Sequence, residues 1–272
     1  MASRARCGVV VVAVFLCTAT WAAGPISQYC LSAGDQATNW VVQDAAVVTS
    51  WAQRISPEYP VAVGTTVRAV GYGPGDPGTE YTLAGVQTGV TYVSGLVAGD
   101  MYDGASDGVY NYGMIYGTGE VIRFDLDWSN PVVLFNLGAT SAYLGITYDP
   151  TNNSLWIGGW SSATISNYTL AGALISSFAA PTSSITSLAL DPADNTLWFG
   201  SQNTQGTFYQ YSKAGVQLST ETYPSLVSQN TLGGEFSAEP LVAVDVPTLG
   251  PIGIAVLGVL LAGIGVAILS RM

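Results

Sequence analysis

Two phrases place an acid where a catalytic carboxylate could sit. LGITYDPTNNSLWIGG (144–159) and SLALDPADNTLWFGS (187–201) align Asp149 with Asp191, Pro150 with Pro192, Trp156 with Trp198 and Gly158 with Gly200. Paired carboxylates perform acid–base work only if they converge on one point. Here each Asp precedes Pro and Asn, so the expected role is a turn, with the side chain accepting backbone N–H groups. GDMYDGASDG (99–108) gathers Asp100, Asp103 and Asp107 with three glycines, and looks oxygen-rich like a calcium loop. Its spacing departs from the ligand order of an EF-hand, and an acidic turn is the expectation. Trp156, Trp198, Tyr168 and Tyr211 offer rings for stacking on sugars. Their matching places in the two phrases favour packing between structural units. No catalytic residue, metal ligand or cofactor is therefore assigned, and the binding residues are left open.

The chain has no histidine. That removes Ser/His/Asp and Cys/His catalysis, the usual general base and most zinc sites. Of three cysteines, Cys7 and Cys17 lie in an N-terminal apolar segment, leaving Cys30 with no intrachain partner. It reads as a small buried residue; an intermolecular disulfide or a reactive thiol is the other reading.

The residues between the ends repeat. YTLAGVQTG at Tyr81, YTLAGALIS at Tyr168 and YSKAGVQLS at Tyr211 share one phrase; the last two are 43 residues apart and the first two about twice that. The copy due near 124 is VIRFDLDWSNPVVLF, with Phe124 in the Tyr slot and a longer turn. MYDGASDGVYNYG (101–113) and VGTTVRAVGYG (63–73) are fainter copies of the Asp-Pro phrase. LGITYD reads as a short apolar strand buried on both faces, SLWIGG as its returning partner, TISNYTL as a half-exposed strand and ALISSF as an outer one. Four short strands in about 40–45 residues make a β-propeller blade.

The pattern of an apolar strand, DPxxNxLW and glycine resembles the blade hairpin of NHL-type and related six-bladed propellers. The resemblance covers 144–220 clearly and implies the architecture, with nothing about ligand. The fold class is therefore all-β, with β-propeller-like repeats in four to five blades. Four units occupy about 50–224. Residues 24–50 and 225–240, including NTLGGEF, are expected to pair into a fifth blade that joins the chain ends and removes exposed sheet edges. An open or β-sandwich arrangement is the alternative.

Both ends read as targeting segments. Residues 1–23 carry Arg4 and Arg6, an apolar run from Val9 to Leu16 and small residues from Ala19, the order of a secretory signal peptide cleaved after Ala22 or Ala23. An uncleaved N-terminal anchor is the alternative. Ile252–Leu269 is 18 residues without a polar side chain, eleven of them Ile, Leu or Val. Those eleven favour insertion by roughly −5 kcal/mol, so a single transmembrane helix is expected over 252–269. Residues 241–251 form an extended linker before it, and 270–272 form a cytoplasmic tail in which Arg271 fits the positive-inside rule.

Val246, Pro247, Thr248, Leu249, Gly250 and Pro251, followed by that span, resemble the IPTL-CTERM class of sorting signals, relatives of PEP-CTERM. The resemblance implies an exosortase-like processing enzyme as a partner. It departs from the pattern after the motif, where Gly250, Pro251 and Ile252 replace the usual Ser and Trp. The two prolines keep the segment extended, the form a transpeptidase can bind. A permanent, uncleaved anchor is the alternative.

All 18 acidic residues lie within 24–250, against Arg54, Arg68, Arg123 and Lys213. Such a surface repels phosphates, so nucleic acid is not an expected partner. The expected protein is exported to the cell envelope or outer surface, membrane-anchored at least transiently. Its 24–240 domain is a non-catalytic binding or structural module, with an envelope or matrix polysaccharide or protein as candidate partner. The alternative function is an extracytoplasmic glycoside hydrolase or lyase working with Asp and Glu.

Overall fold

The computed structural model describes residues 24–33, 37–138 and 143–237. Their strands form five four-stranded antiparallel sheets. The second blade is β4 (Glu58–Val63), β5 (Thr66–Gly71), β6 (Pro77–Thr82) and β7 (Gln87–Val93). The third is β8 (Asp100–Ser106), β9 (Tyr110–Tyr116), β10 (Glu120–Asp125) and β11 (Val132–Asn136). The fourth is β12 (Tyr143–Asp149), β13 (Ser154–Gly159), β14 (Thr164–Thr169) and β15 (Leu174–Ala179). The fifth is β16 (Ile185–Asp191), β17 (Thr196–Ser201), β18 (Thr207–Tyr211) and β19 (Gln217–Thr222). The first blade holds β1 (Tyr29–Ala33), β2 (Thr38–Gln43) and β3 (Ala46–Ala52), and its innermost strand is β20 (Thr231–Phe236) from the far end of the chain.

The fold is a five-bladed β-propeller closed through both chain ends, which selects five blades over four and excludes the open and sandwich alternatives. The innermost strands β4, β8, β12, β16 and β20 pack side by side in a ring. The repeated phrase occupies one place per blade: Tyr81, Phe124, Tyr168 and Tyr211 stand on the third strands β6, β10, β14 and β18. The turn that follows needs glycine for two reasons. Gly85, Gly172 and Gly215 have φ of +83°, +81° and +81°. Each also lies against a ring on the outermost strand of the preceding blade (Trp51, Phe135 and Phe178), where a Cβ would come within 2.5–2.7 Å of ring-bearing atoms. One residue type thus sets both the hairpin and the inter-blade spacing.

Trp156 and Trp198 pack between blades, as their matching positions imply. Trp156 is buried with Ile185, Leu188 and Phe199 of the next sheet, and Trp198 with Tyr29, Leu31 and Phe236. Asp149 and Asp191 close their turns as expected, accepting the Thr151 and Ala193 amides at 2.9 Å. They also clasp neighbouring blades. Asp149 takes the Trp156 indole N–H at 3.0 Å and Lys213 Nζ at 2.8 Å. Asp191 takes the Ile26 amide at 2.8 Å and the Ser27 hydroxyl at 2.6 Å.

The segment read as a calcium-like loop or acidic turn is corrected. Asp100–Ser106 is the innermost strand β8, and Asp103 is wholly buried. One carboxylate oxygen accepts the Gly104 and Gly234 amides at 3.0 and 2.9 Å, and the other accepts Ile146 and Leu188 at 2.8 and 3.1 Å. The donors come from β8, β20, β12 and β16, so one side chain ties four of the five inner strands. The fifth meets β20 through Gly233, at φ +83°, where a Cβ would sit 2.3 Å from the Tyr59 carbonyl oxygen.

The N-terminal signal, the linker, the sorting motif and the C-terminal span lie outside the described residues. Among the described residues, no helix is long and apolar enough to cross a membrane.

Two predictions follow from the packing. Asp103→Ala orphans four buried amides at about 1–3 kcal/mol each, so we expect loss of at least ~4 kcal/mol, with Asp103→Asn intermediate. An Asp103→Ala chain with the parental denaturation midpoint would refute the hub. The second concerns Glu58, which is buried and accepts the Tyr81 hydroxyl at 2.8 Å. Burial pushes its carboxyl up to about 7, against Thr79, Tyr81 and Arg54. A raised carboxyl pKa means that the folded state holds a proton which the unfolded chain has released. Its contribution is complete below about pH 4.5 and is lost as pH rises toward 7, on the order of 3 kcal/mol. Thermal unfolding at pH 5, 6 and 7 should show a falling Tm in the parent and a flatter profile in Glu58→Gln; identical slopes contradict this assignment.

Candidate functional site: the two mouths of the central channel

Chemistry on a propeller concentrates where the inner strands begin and end, because loops from every blade meet there. At the face where they begin, aromatic side chains gather for a topological reason. The start of each first strand lies beside the end of its antiparallel second strand. Tyr59 and Tyr102 stand early on β4 and β8, while Tyr72, Tyr116 and Trp160 stand at or just past the ends of β5, β9 and β13. The rings form a continuous arc. Tyr59 lies 5.8 Å from Tyr72 and 5.6 Å from Tyr102, and Tyr72 stacks on Tyr102 at 5.8 Å with planes 8° apart. Tyr102 meets Tyr116 edge-on at 5.6 Å, and Tyr116 meets Trp160 edge-on at 6.0 Å. Tyr102, Tyr116 and Trp160 of the arc line a cavity of about 220 Å3 together with Leu144, Gln202 and Leu232. Burial, then the charge of Asp100, raises the Tyr102 hydroxyl to about 12, so it stays a neutral donor.

The opposite face, where the inner strands end, mixes apolar walls such as Val63, Pro150, Leu190 and Pro192 with a few charged and polar groups. A cavity of about 390 Å3 is bordered by Arg68, Asp107, Tyr148, Asn195, Glu235 and Phe236, among others. Glu235 is 7% exposed; one carboxyl oxygen accepts the Phe236 amide at 3.0 Å and the other the Thr147 hydroxyl at 2.8 Å. Thr147 in turn accepts the Leu190 amide at 3.2 Å. Burial pushes the Glu235 carboxyl well above the usual range, with the Asp103 charge adding to it and the Phe236 amide and Thr147 opposing. Asp103, deeper in the channel, is pushed up by burial as well, and its four amides pull back. With two N–H donors on each oxygen, no lone pair remains for a proton, so we assign Asp103 as the anion. It has no solvent-facing oxygen with which to attack a substrate.

Of the other residues singled out in the sequence, Asp107 borders the cavity where the inner strands end, while Tyr168, Tyr211 and Cys30 stand apart from both mouths. Tyr211 is buried and Tyr168 half-buried in inter-blade packing, so neither forms an open stacking platform with its aligned Trp. Asp100 and Asp107 sit at opposite ends of β8. Cys30 is free and buried, its thiol raised to about 12 by burial and then by the charge of Glu235, which leaves it unreactive at neutral pH. Among the described residues, no group of three or more His, Cys, Asp or Glu is placed to hold a metal ion.

Sequence reasoning missed both mouths. A signal for the aromatic one existed: Tyr72, Tyr116 and Trp160 recur at 44-residue intervals in VGYG, MIYG and IGGW, in step with the blades. Arg68 and Glu235 carry no such repeat, since each occurs in one blade.

No family model matches the chain, and no curated protein matches it. Solved structures of similar shape exist. A chain in the crystal structure of a nidogen/laminin complex superposes with a TM-score of 0.53 at 12% identity, covering 77% of this chain and 97% of that one. A Bacteroides thetaiotaomicron protein of unknown function gives 0.50 at 12% identity, covering 79% and 64%. The Myxococcus xanthus glutaminyl cyclase gives 0.45 at 12%, covering 66% and 71%. At these identities the likeness is one of fold alone: the chain is a β-propeller.

Proposed function

We propose that this chain is an exported propeller, held at the cell envelope by its C-terminal segment until an exosortase-like enzyme processes it. Its domain binds an envelope or matrix polysaccharide or protein without catalysis. The observation that carries the binding role is the aromatic arc: five rings, four of them partly exposed, around one mouth. Such rings bury large area on a sugar face or an apolar side chain with little loss of conformational freedom, and their hydroxyls supply orientation. The nidogen/laminin likeness supports the reading to the extent that a fold of this kind occurs in a protein–protein complex. Export and tethering rest on the apolar terminal segments and the Val246–Pro251 motif.

The glycoside hydrolase or lyase alternative draws on one observation, the buried carboxyl pair Asp103 and Glu235 near the channel. Glycosidases need two carboxyls that both reach the substrate. Asp103 is fully enclosed and saturated by amides, which disfavours the pair as a catalytic couple.

Two measurements test the proposal. Retention of the full chain on immobilised envelope or matrix polysaccharide, and on envelope proteins, should weaken about tenfold in Tyr102→Ala and vanish in Tyr102→Ala/Trp160→Ala. Unchanged retention in the double variant removes the arc as the contact surface. Intact-mass measurement of the protein from its native cells should show loss of the N-terminus near Ala22 or Ala23 and of the tail within Val246–Pro251. A retained tail leaves a simple anchor, and a full-length cytosolic protein rejects export.

A further inference from the structure

We infer that the cavity where the inner strands end is a second binding site, for a carboxylate-bearing ligand the size of one or two sugar rings, gripped by Arg68. The inference is independent of the aromatic mouth, which lies on the opposite face. Arg68 stands mid-strand on β5, in register with Glu80. Its side chain crosses toward the next blade, where Nη2 reaches the Ser106 hydroxyl at only 3.5 Å. Its Nε is buried with no acceptor. Among the described residues the one ion pair is Lys213–Asp149, so no carboxylate lies within 4 Å of the guanidinium.

The acids around it are already satisfied. Glu80 accepts the Tyr92 hydroxyl at 2.7 Å and Thr88 Oγ1 at 2.8 Å. Asp107 accepts the Val109 and Tyr110 amides at 2.7 and 2.6 Å and the Tyr112 hydroxyl at 2.6 Å. Glu235 is engaged by Phe236 and Thr147. A half-buried guanidinium with unused donors is costly, and a carboxylate matches its fork with two parallel N–H···O bonds. The volume of about 390 Å3 falls in the range of small-molecule sites. Glu80, opposite in register, attracts Arg68 from beyond ion-pair distance, and a negative ligand seated in the cavity would supply the close contact that Glu80 does not.

The test is calorimetric titration of the purified full chain with glucuronate, glucose and inorganic sulfate. Glucuronate should bind saturably, with glucose at least about tenfold weaker because it lacks the charge, and sulfate weaker because it lacks the ring. Arg68→Met should weaken glucuronate binding about tenfold or more, and Arg68→Lys should fall between. Gly64→Leu provides a second route should Arg68→Met fold poorly. A Cβ at Gly64 sits 3.5 Å from Arg68 Nη2 without a clash, so the larger side chain fills the cavity and leaves the charge in place. Tyr102→Ala should leave glucuronate binding unchanged. Failure of glucuronate to bind, equal binding of glucose, sulfate binding as tightly as glucuronate, or persistence in both Arg68→Met and Gly64→Leu each overturns the assignment. None of these outcomes bears on the aromatic mouth.

Discussion

The closed propeller leaves the inner edge of every blade unpaired. Each innermost strand pairs within its sheet on one side alone, and the five pack side by side around the axis with most of their residues buried. Unsatisfied buried amides are among the more expensive features a fold can carry. Asp103 answers this constraint for four strands at once, through four amide bonds between 2.8 and 3.1 Å. Thr147 extends the solution by taking the Leu190 amide and donating to Glu235. These acceptors together tie the inner strands β8, β12, β16 and β20 to one another near the axis.

That use of carboxyl groups also shapes what the protein can do. An acid whose oxygens are consumed by the scaffold cannot serve as nucleophile or base. The same holds at the ends of the innermost strands β12 and β16, where Asp149 and Asp191 spend their oxygens on turns, on the Trp156 indole, on Lys213 and on the Ile26–Ser27 segment. The clasp at Asp149 outweighs the cost of its burial, and Lys213, Trp156 and Thr151 hold its carboxyl below the usual range. Recognition is left to the mouths, where groups are not committed to the frame: rings on one face, a guanidinium on the other.

The five outer strands complete the division of labour. β3, β7, β11, β15 and β19 are largely exposed, with valines, leucines and an isoleucine open to solvent. Inter-blade aromatic packing, such as Phe178 stacked on Tyr211 at 5.5 Å, and the glycine turns set against Trp51, Phe135 and Phe178 hold these strands in place from within. The outer strands thus contribute to the frame through their inward rings, Trp51, Phe135 and Phe178, while most of their other side chains face solvent.

The propeller was legible in the sequence because a blade is a local object. Its four strands are consecutive, its turns carry Asp-Pro and Ala-Gly, and its third-strand ring recurs every 43 residues or so, as Tyr168 and Tyr211 show. Even the closing strand NTLGGEF announced itself, since an unpaired β1 needed a partner. The apolar terminal segments and the acidic balance likewise come from residue types alone. What only the tertiary structure decided is everything that happens once in five blades. Asp103 read as part of a loop because its partners are 43 to 131 residues away along the chain. Arg68 gains its cavity in the same way, from Ser106, Tyr148, Asn195 and Glu235 of other blades, and the recurring Tyr72, Tyr116 and Trp160 become one arc only when the blades are set side by side. Spacing along a chain records neighbours within a blade, whereas a channel is made of residues whose only relation is that they face the same axis.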